Sequence, residues 1–467
     1  MYSTLLLTML VAAVGILAAL HALLTKRDSR SAFGWIGFCL ILPVVGPLIY
    51  VLFGINRLNE RAHRTYISKL EADSTPSILA PAGTSLRPLS TVGERVTGKG
   101  LRACTSVDVL TNGEELYPAM LDAFAGATDK IYLSSYLFDN DTTGERFIEA
   151  LCAAQARGVD VRIIIDALGE YMSLPRIGRK LRRCGLNFVR FNPITLIPPS
   201  LHINMRNHRK ITIVDSRVAF TGGQNIGDRH LVNRPSGHRV QDLHFRLTGK
   251  VVDELERAFL HDWYYCIGRK KTEPFKPSNE NLTESDIWTR VVMDGPNEYI
   301  DRLNDLIVGV TSTATRRVWI MTPYFLPGSD IVSALVGARL RGVDVKILLP
   351  SENNIFLVHW AMQNNLLYFM EKDIEIYFQP GPFVHTKILL IDDIYSLVGS
   401  ANWDARSLRL NFELGLEVFD RGLNRHLATH FQNSLARATR VTSEQLAAST
   451  LPLRIRNALA WLFSPYL

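Results

Sequence analysis

The apolar positions of this chain are unevenly spread. From Met1 to Thr25 there is no Asp, Glu, Lys or Arg, and Leu5 to Leu24 is almost wholly apolar. As a helix, that stretch is long enough to cross a bilayer. A second uncharged run extends from Ser31 to Asn56, with Trp35 and Tyr50 near its ends, where aromatic side chains mark a membrane interface. The connection Lys26-Arg27-Asp28-Ser29-Arg30 is short and polar. The pattern predicts two transmembrane helices within residues 1–55. A cleaved signal peptide fits poorly, because no basic segment precedes the first run and a second follows at once. Pro43, Gly46 and Pro47 can kink the second run or turn it back before it spans. Basic residues lie on both sides of that run, so charge sets no orientation.

Residues 56–95 are polar, rich in Ser, Thr, Pro and Gly, and read as a linker. Beyond them the pattern changes to apolar helical faces followed by β-branched runs. Ala156-Arg157-Gly158-Val159-Asp160-Val161-Arg162-Ile163-Ile164-Ile165-Asp166 matches Leu340-Arg341-Gly342-Val343-Asp344-Val345-Lys346-Ile347-Leu348-Leu349-Pro350. Each follows a helical pattern, Phe147 to Ala154 or Ile331 to Ala338, and each ends as a buried strand. Strand, helix and strand on this spacing make an α/β unit.

A second match lies downstream. His208-Arg209-Lys210-Ile211-Thr212-Ile213-Val214-Asp215 precedes Gly222-Gly223-Gln224-Asn225, and His385-Thr386-Lys387-Ile388-Leu389-Leu390-Ile391-Asp392 precedes Gly399-Ser400-Ala401-Asn402. Both obey H-x-K-x4-D-x6-G-[GS]-x-N. Such a repeat predicts two α/β lobes of similar fold about a pseudo-twofold axis, with the motifs meeting between them. The expected lobes are residues 96–280 and 281–467.

Composition narrows the partners. Of 467 residues, 47% are hydrophobic and 21% charged, which excludes a disordered or collagen-like chain. The net charge of +7 suits an anionic partner, whether nucleic acid, phosphorylated small molecule or anionic membrane. Five cysteines with no C-x-x-C spacing indicate neither a disulfide framework nor a zinc site, and read as buried free thiols.

In a strand, residues i and i+2 share a face, so His208 and Lys210 point together, as do His385 and Lys387. Where the lobes meet, two imidazoles, two ammoniums and the amides of Asn225 and Asn402 would form an anion site. There is no thiolate or carboxylate cage for a metal. The set suits a tetrahedral phosphate: lysines and amides hold the non-bridging oxygens, one His attacks phosphorus, and the other protonates the leaving oxygen. Two histidines divide these roles where their surroundings separate their pKa values.

At these residues the sequence resembles the phospholipase D superfamily, from about Leu101 to the C-terminus. The resemblance implies two α/β/α-sandwich lobes and ping-pong chemistry through a phosphohistidine. It implies that His208 is the nucleophile, by family habit the first His, and that His385 is the general acid and later the base. Lys210, Lys387, Asn225 and Asn402 would hold the phosphate. Asp242 and Glu413 match the family's carboxylates that orient the opposite His. Asp215 and Asp392 complete the motif, and read as strand supports more than as substrate contacts.

The superfamily includes lipid enzymes and nucleases, and the apolar N-terminus favours a lipid. The apolar stretches at 194–199 and 355–360 can form an acyl-chain entry or ordinary core. Arg454 to Leu467 mixes bases with aromatics, as an interfacial helix does. Arg176, Arg179, Lys180 and Arg183 make a basic face on a helix, suited to headgroups or simply solvated. The layout as a whole, with Pro43 to Tyr50, Arg206 to Lys210, Gly222 to Asp228 and Phe463-Ser464-Pro465, resembles the bacterial cardiolipin synthases of the phospholipase D type. That resemblance implies a multi-pass inner-membrane enzyme that converts two phosphatidylglycerols to cardiolipin and glycerol without cofactor, ATP, metal or nucleic acid. The rivals are a phospholipase D-type hydrolase, a transferase using phosphatidylethanolamine, and a membrane-tethered nuclease.

Overall fold

The computed structural model describes residues 2–26, 29–54, 86–193, 205–234, 237–268, 275, 287–296 and 299–464. The chain divides into two compact units, one with the N-terminal helices and one with everything described from Leu86 onward.

In the N-terminal unit, Tyr2–Thr25 is one continuous helix, and Thr4–Thr25 is long and apolar enough to cross a membrane. The second run is not a second span. Its helix Ser29–Ile41 has 13 residues, about 20 Å at the usual rise against an apolar core of about 30 Å. The chain turns at Leu42 to Val44, then forms the short helix Val45–Ile49. Pro43 lacks the N–H that would continue the ladder. Among the described residues there is thus one membrane-length helix, and the expected multi-pass hairpin is corrected to one span plus a broken partner. Tyr50 packs inside this unit. It is 1% exposed, its hydroxyl lies 2.8 Å from Nδ1 of His21, and its ring packs 5.2 Å from Trp35.

The body holds two sheets with one strand order. The seven-stranded sheet runs Ser106–Thr111, Leu243–Thr248, Val218–Gly222, Ile211–Val214, Lys130–Ser135, Asp160–Asp166, Asn187–Phe191. The other runs Ile287–Asp294, Glu413–Phe419, Tyr395–Gly399, Ile388–Ile391, Arg317–Met321, Asp344–Pro350, Glu375–Gln379, and gains Arg102–Cys104 and Thr439–Arg440 at its edges. Within the shared seven strands the pairing senses also agree: four antiparallel joins, then two parallel ones. The repeated Arg-Gly-Val-Asp segments end helices Thr142–Ala156 and Ser329–Leu340 and enter the first parallel partner strand of each sheet. Gly158 and Gly342 take φ of 93° and 87° there, a turn that glycine makes without a Cβ clash.

The expected 56–95 linker needs correction at its end. Arg87–Thr97 is a helix, and its Leu89 joins the second lobe's core. Gly93 lies over a buried pair, Arg290 Nη1 to Glu417 Oε2 at 2.7 Å, where an added Cβ would collide with Arg290. Residues 55–85 and the apolar stretch at 194–199 lie outside the described residues. Arg102–Cys104, expected in lobe 1, pairs instead with Ile287–Asp294 of the second sheet. The basic face expected over 176–183 is reduced to the six-residue helix Gly178–Arg183, with Lys180 paired to Glu145. Of the free cysteines, Cys39 and Cys104 are buried, but Cys184 is exposed.

Candidate active site

His208-Arg209-Lys210 and His385-Thr386-Lys387 sit just ahead of strands Ile211–Val214 and Ile388–Ile391, not inside them. Their backbones pair across the lobes. His208 N–H donates to Phe412 O at 2.9 Å, and His385 N–H donates to Gln241 O at 2.8 Å. Short parallel pairings continue each seam, Phe383–Val384 with Val240–Gln241 and Asn207 with Phe412. Each seam ends one residue before a carboxylate, Asp242 or Glu413. The backbone thereby sets each carboxylate beside the other lobe's His.

The two pairs differ in geometry. His385 Nδ1 lies 2.8 Å from Asp242 Oδ2. His208 Nδ1 lies 3.2 Å from Glu413 Oε1, off the line of a hydrogen bond. Asp242 takes Leu243 N–H on Oδ1 at 2.8 Å. Glu413 is held by Ser400 Oγ at 2.5 Å and Asn411 Nδ2 at 3.1 Å. The Gly223/Ser400 difference fits this. A Cβ on Gly223 would stand 2.5 Å from Asp242 Oδ2, while the second lobe has a hydroxyl there that binds its carboxylate.

Both lysines are buried, and each donates to the carbonyl of its own His: Lys210 Nζ to His208 O at 2.7 Å, and Lys387 Nζ to His385 O. Lys387 Nζ is also 2.9 Å from His385 Nδ1. An ionised Asp242 accepts a hydrogen bond from Nδ1–H of His385, and that tautomer leaves Nε2 for proton transfer.

Burial and charge separate the titrating groups. Burial, then the charges of Lys210, Lys387 and Arg406, hold the His208 imidazole well below its usual range. His385 is brought to about 4 by burial and Lys387, with Asp242 opposing. Burial brings Lys210 to about 8 and Lys387 to about 7. Burial alone would raise Asp242, but Lys387 and the His385 hydrogen bond outweigh it and hold the carboxyl at about 2. Burial wins at Glu413 and pushes it up to about 7, against Lys210, Ser400 and Asn411. Asn225 and Asn402 are both buried. Asn225 Oδ1 accepts from Leu137 N–H at 3.1 Å, while Asn402 Oδ1 is buried without a protein partner.

Asp215 and Asp392 stand apart from this cluster. Asp215 accepts from the backbone of Thr128, Asp129 and Lys130. Asp392 accepts from that of Thr315, Arg316 and Arg317. Each follows its strand at positive φ, 51° and 50°, at the end remote from the histidines. They tie neighbouring strands together, although they stand within the motif.

Two contributors escaped the sequence reading. The Tyr136 ring packs 4.4 Å from His208, with Lys210 Nζ 5.6 Å above it. Arg209, 0% exposed, donates to Asp262 Oδ1 at 2.6 Å, to Glu413 O at 2.9 Å and to Asp294 O at 2.8 Å. It fixes the backbone of Glu413 from the first lobe's motif. The only hint was a charged residue between His208 and Lys210 where the second copy has Thr386.

Comparison with known proteins agrees with this architecture. Residues 120–263 and 308–435 match the family described as cardiolipin synthase, PLD-like domain. Residues 13–54 match the phospholipase D-nuclease N-terminal family. The chain is 30% identical over 461 residues to the cardiolipin synthase of Geobacillus kaustophilus, covering 97% of this chain and 92% of that one. It is 29% identical over 462 residues to the major cardiolipin synthase ClsA of Bacillus subtilis, covering 95% of each. Among solved structures, phosphatidylserine synthase of Haemophilus influenzae superposes with a TM-score of 0.63 at 15% identity, over 81% of this chain and 100% of that one. That last likeness speaks to fold alone. The duplicated sheets, the duplicated motif and these relatives together show that the chain belongs to the bacterial cardiolipin synthases of the phospholipase D superfamily, and is a phosphatidyltransferase.

Proposed function

We propose that this enzyme transfers a phosphatidyl group between two phosphatidylglycerol molecules, giving cardiolipin and glycerol through a phosphohistidine. The crossed His–carboxylate pairs around two buried lysines carry the reading. Nε2 of neutral His208 attacks phosphorus, and the bond to the headgroup glycerol oxygen breaks. That oxygen takes a proton from Nε2 of His385. The glycerol hydroxyl of a second lipid then gives its proton to His385 and attacks phosphorus. The P–N bond breaks and His208 is restored. One phosphodiester replaces another, so no ATP is consumed and no cofactor is called for. Lys210, Lys387, Asn225 and Asn402 hold the non-bridging oxygens.

His385 must be protonated for the first step, yet with only the protein's own groups around it, it sits at about 4. The bound phosphodiester supplies the correction: its negative charge between Lys210 and Lys387 offsets their repulsion and raises the imidazole. The enzyme works at the bacterial inner membrane, held there by its N-terminal apolar helix.

The test uses full-length protein in nanodiscs with headgroup-labelled phosphatidylglycerol. Cardiolipin and free glycerol should appear in equal amounts. Phosphatidic acid without cardiolipin would instead make it a hydrolase. Cardiolipin formed only when phosphatidylethanolamine is added would change the donor. Cleavage of nucleic acid in place of lipid turnover would make it a nuclease.

A further inference from the structure

An apolar groove of about 600 Å³ lies between helix Phe356–Met370 and the C-terminal helix Leu451–Leu462. Leu357 and Trp360 form one wall, and Leu451, Ile455, Leu459 and Phe463 the other. The C-terminal helix is anchored to that first helix, where Asn457 Nδ2 donates to Gln363 Oε1 at 3.1 Å, and Ala460 is buried at the groove's floor. Its stripe at positions 451, 455 and 459 stays 51–67% exposed, and Phe356 at the groove's edge is 66% exposed. An uncovered apolar stripe of this size marks a surface built for contact.

Two observations select the partner. First, the groove is basic without any acid. Arg456 lies 4.4 Å over the Trp360 ring, Arg454 is on the same helix, and no Asp or Glu occurs after Glu444. Apolar side chains backed by arginines match acyl chains below anionic headgroups. Second, a chain of packed side chains links the start of the groove's first helix to the site. Asn354, two residues before Phe356, accepts from Tyr324 Oη at 2.6 Å. Tyr324 packs 6.5 Å from Phe383, and Phe383 packs 6.0 Å from His385.

We infer that this groove binds the acyl chains of a phospholipid in an anionic leaflet, and so presents a lipid headgroup on the His385 side of the site. The inference rests on the lipid-transfer reading above and adds the place where the tails lie. A protein partner would need acidic residues to answer the arginines, and would leave the aromatic path to His385 without a use.

The test is photo-crosslinking of the full chain in nanodiscs that contain phosphatidylglycerol with a diazirine in its acyl chain. Peptide mapping should find adducts on residues 356–360 and 451–463 as well as on the N-terminal helix. Adducts confined to residues 2–54 would overturn the inference, as would a groove covered by a second copy of the chain. The double variant Ile455→Ser, Leu459→Ser should turn over bilayer phosphatidylglycerol about tenfold more slowly. It should retain its rate on monomeric dihexanoyl-phosphatidylglycerol, whose tails are too short to fill the groove. An equal loss on both substrates would make the stripe structural and overturn the inference. If crosslinks form in the groove and neither substrate yields cardiolipin, the synthase reading fails while the groove assignment stands.

Discussion

Asp242 and Glu413 occupy matching positions in the two lobes, each one residue beyond a backbone seam to the opposite His. Asp242 is held at about 2 and meets His385 in a 2.8 Å hydrogen bond. Glu413 is pushed up to about 7 and misses such a bond with His208. Part of the difference is length. The longer Glu side chain reaches Ser400 and Asn411, and the shorter Asp fills the space Gly223 leaves empty. An ionised partner stabilises imidazolium, which an acid–base His must become. A partner near half-charge leaves its imidazole neutral, which a nucleophile must be. On the proposed mechanism, the two like frames would divide the chemistry through these small side-chain differences.

The largest test of this comparison removes each imidazole. His208→Ala should lower turnover of phosphatidylglycerol by about 10⁴-fold or more, and His385→Ala by a similar factor. The two should part on a phosphatidyl ester of nitrophenol, whose leaving group needs no proton. There the first step should recover in His385→Ala and stay lost in His208→Ala, read as a nitrophenolate burst. A burst from His208→Ala would reverse the roles.

Next come the carboxylates. Asp242→Asn should cost about 10³-fold in kcat, because it removes the charge that supports imidazolium. Glu413→Gln should cost about tenfold, because Gln resembles the neutral form already populated near pH 7. Equal losses would dissolve the distinction. A smaller effect tests the supports. Gly223→Ser should slow turnover about tenfold by displacing Asp242, whereas Ser400→Gly, which removes one hydrogen bond from Glu413, should cost about threefold.

The smallest effect is on stability. Glu413 carries a folded pKa raised from its ordinary 4.5 to about 7. Its protonated form therefore supports the fold fully below about 4.5, and that support is lost as pH rises through 7. Between those values the melting temperature of the parent should fall as pH rises. Glu413→Gln should show a flatter profile. Asp242 has the opposite sign: its contribution is complete above about 3.8 and lost only as pH falls through about 2.

The duplicated lobes and both His–Lys pairs were legible in the sequence because the motif requires particular residues at fixed spacings. Asp242 and Glu413 were reached through the family resemblance, and only the crossed seams explain why each serves the other lobe. Asp215 and Asp392 show that a residue fixed in the motif's spacing can bind the backbone of neighbouring strands. Helix Arg87–Thr97 was hidden by its Ser, Thr, Pro and Gly content, although Leu89, Val92 and Val96 share its core-facing side. Its Gly93 is set by a buried ion pair whose partners lie 197 and more residues away, beyond the reach of any local pattern. In the second apolar run, hydropathy outweighed Pro43 in the reading, and Pro43 prevailed in the fold.

On the proposed mechanism the lobes are unequal, and His208 alone takes the phosphatidyl group. The direct measurement is an alkaline quench of the full-length enzyme during turnover of phosphorus-labelled phosphatidylglycerol, followed by peptide mapping of the label. Label should appear on the peptide containing His208 and accumulate further in Asp242→Asn as the second step slows. Label on the peptide containing His385, or on both in equal amount, would contradict it.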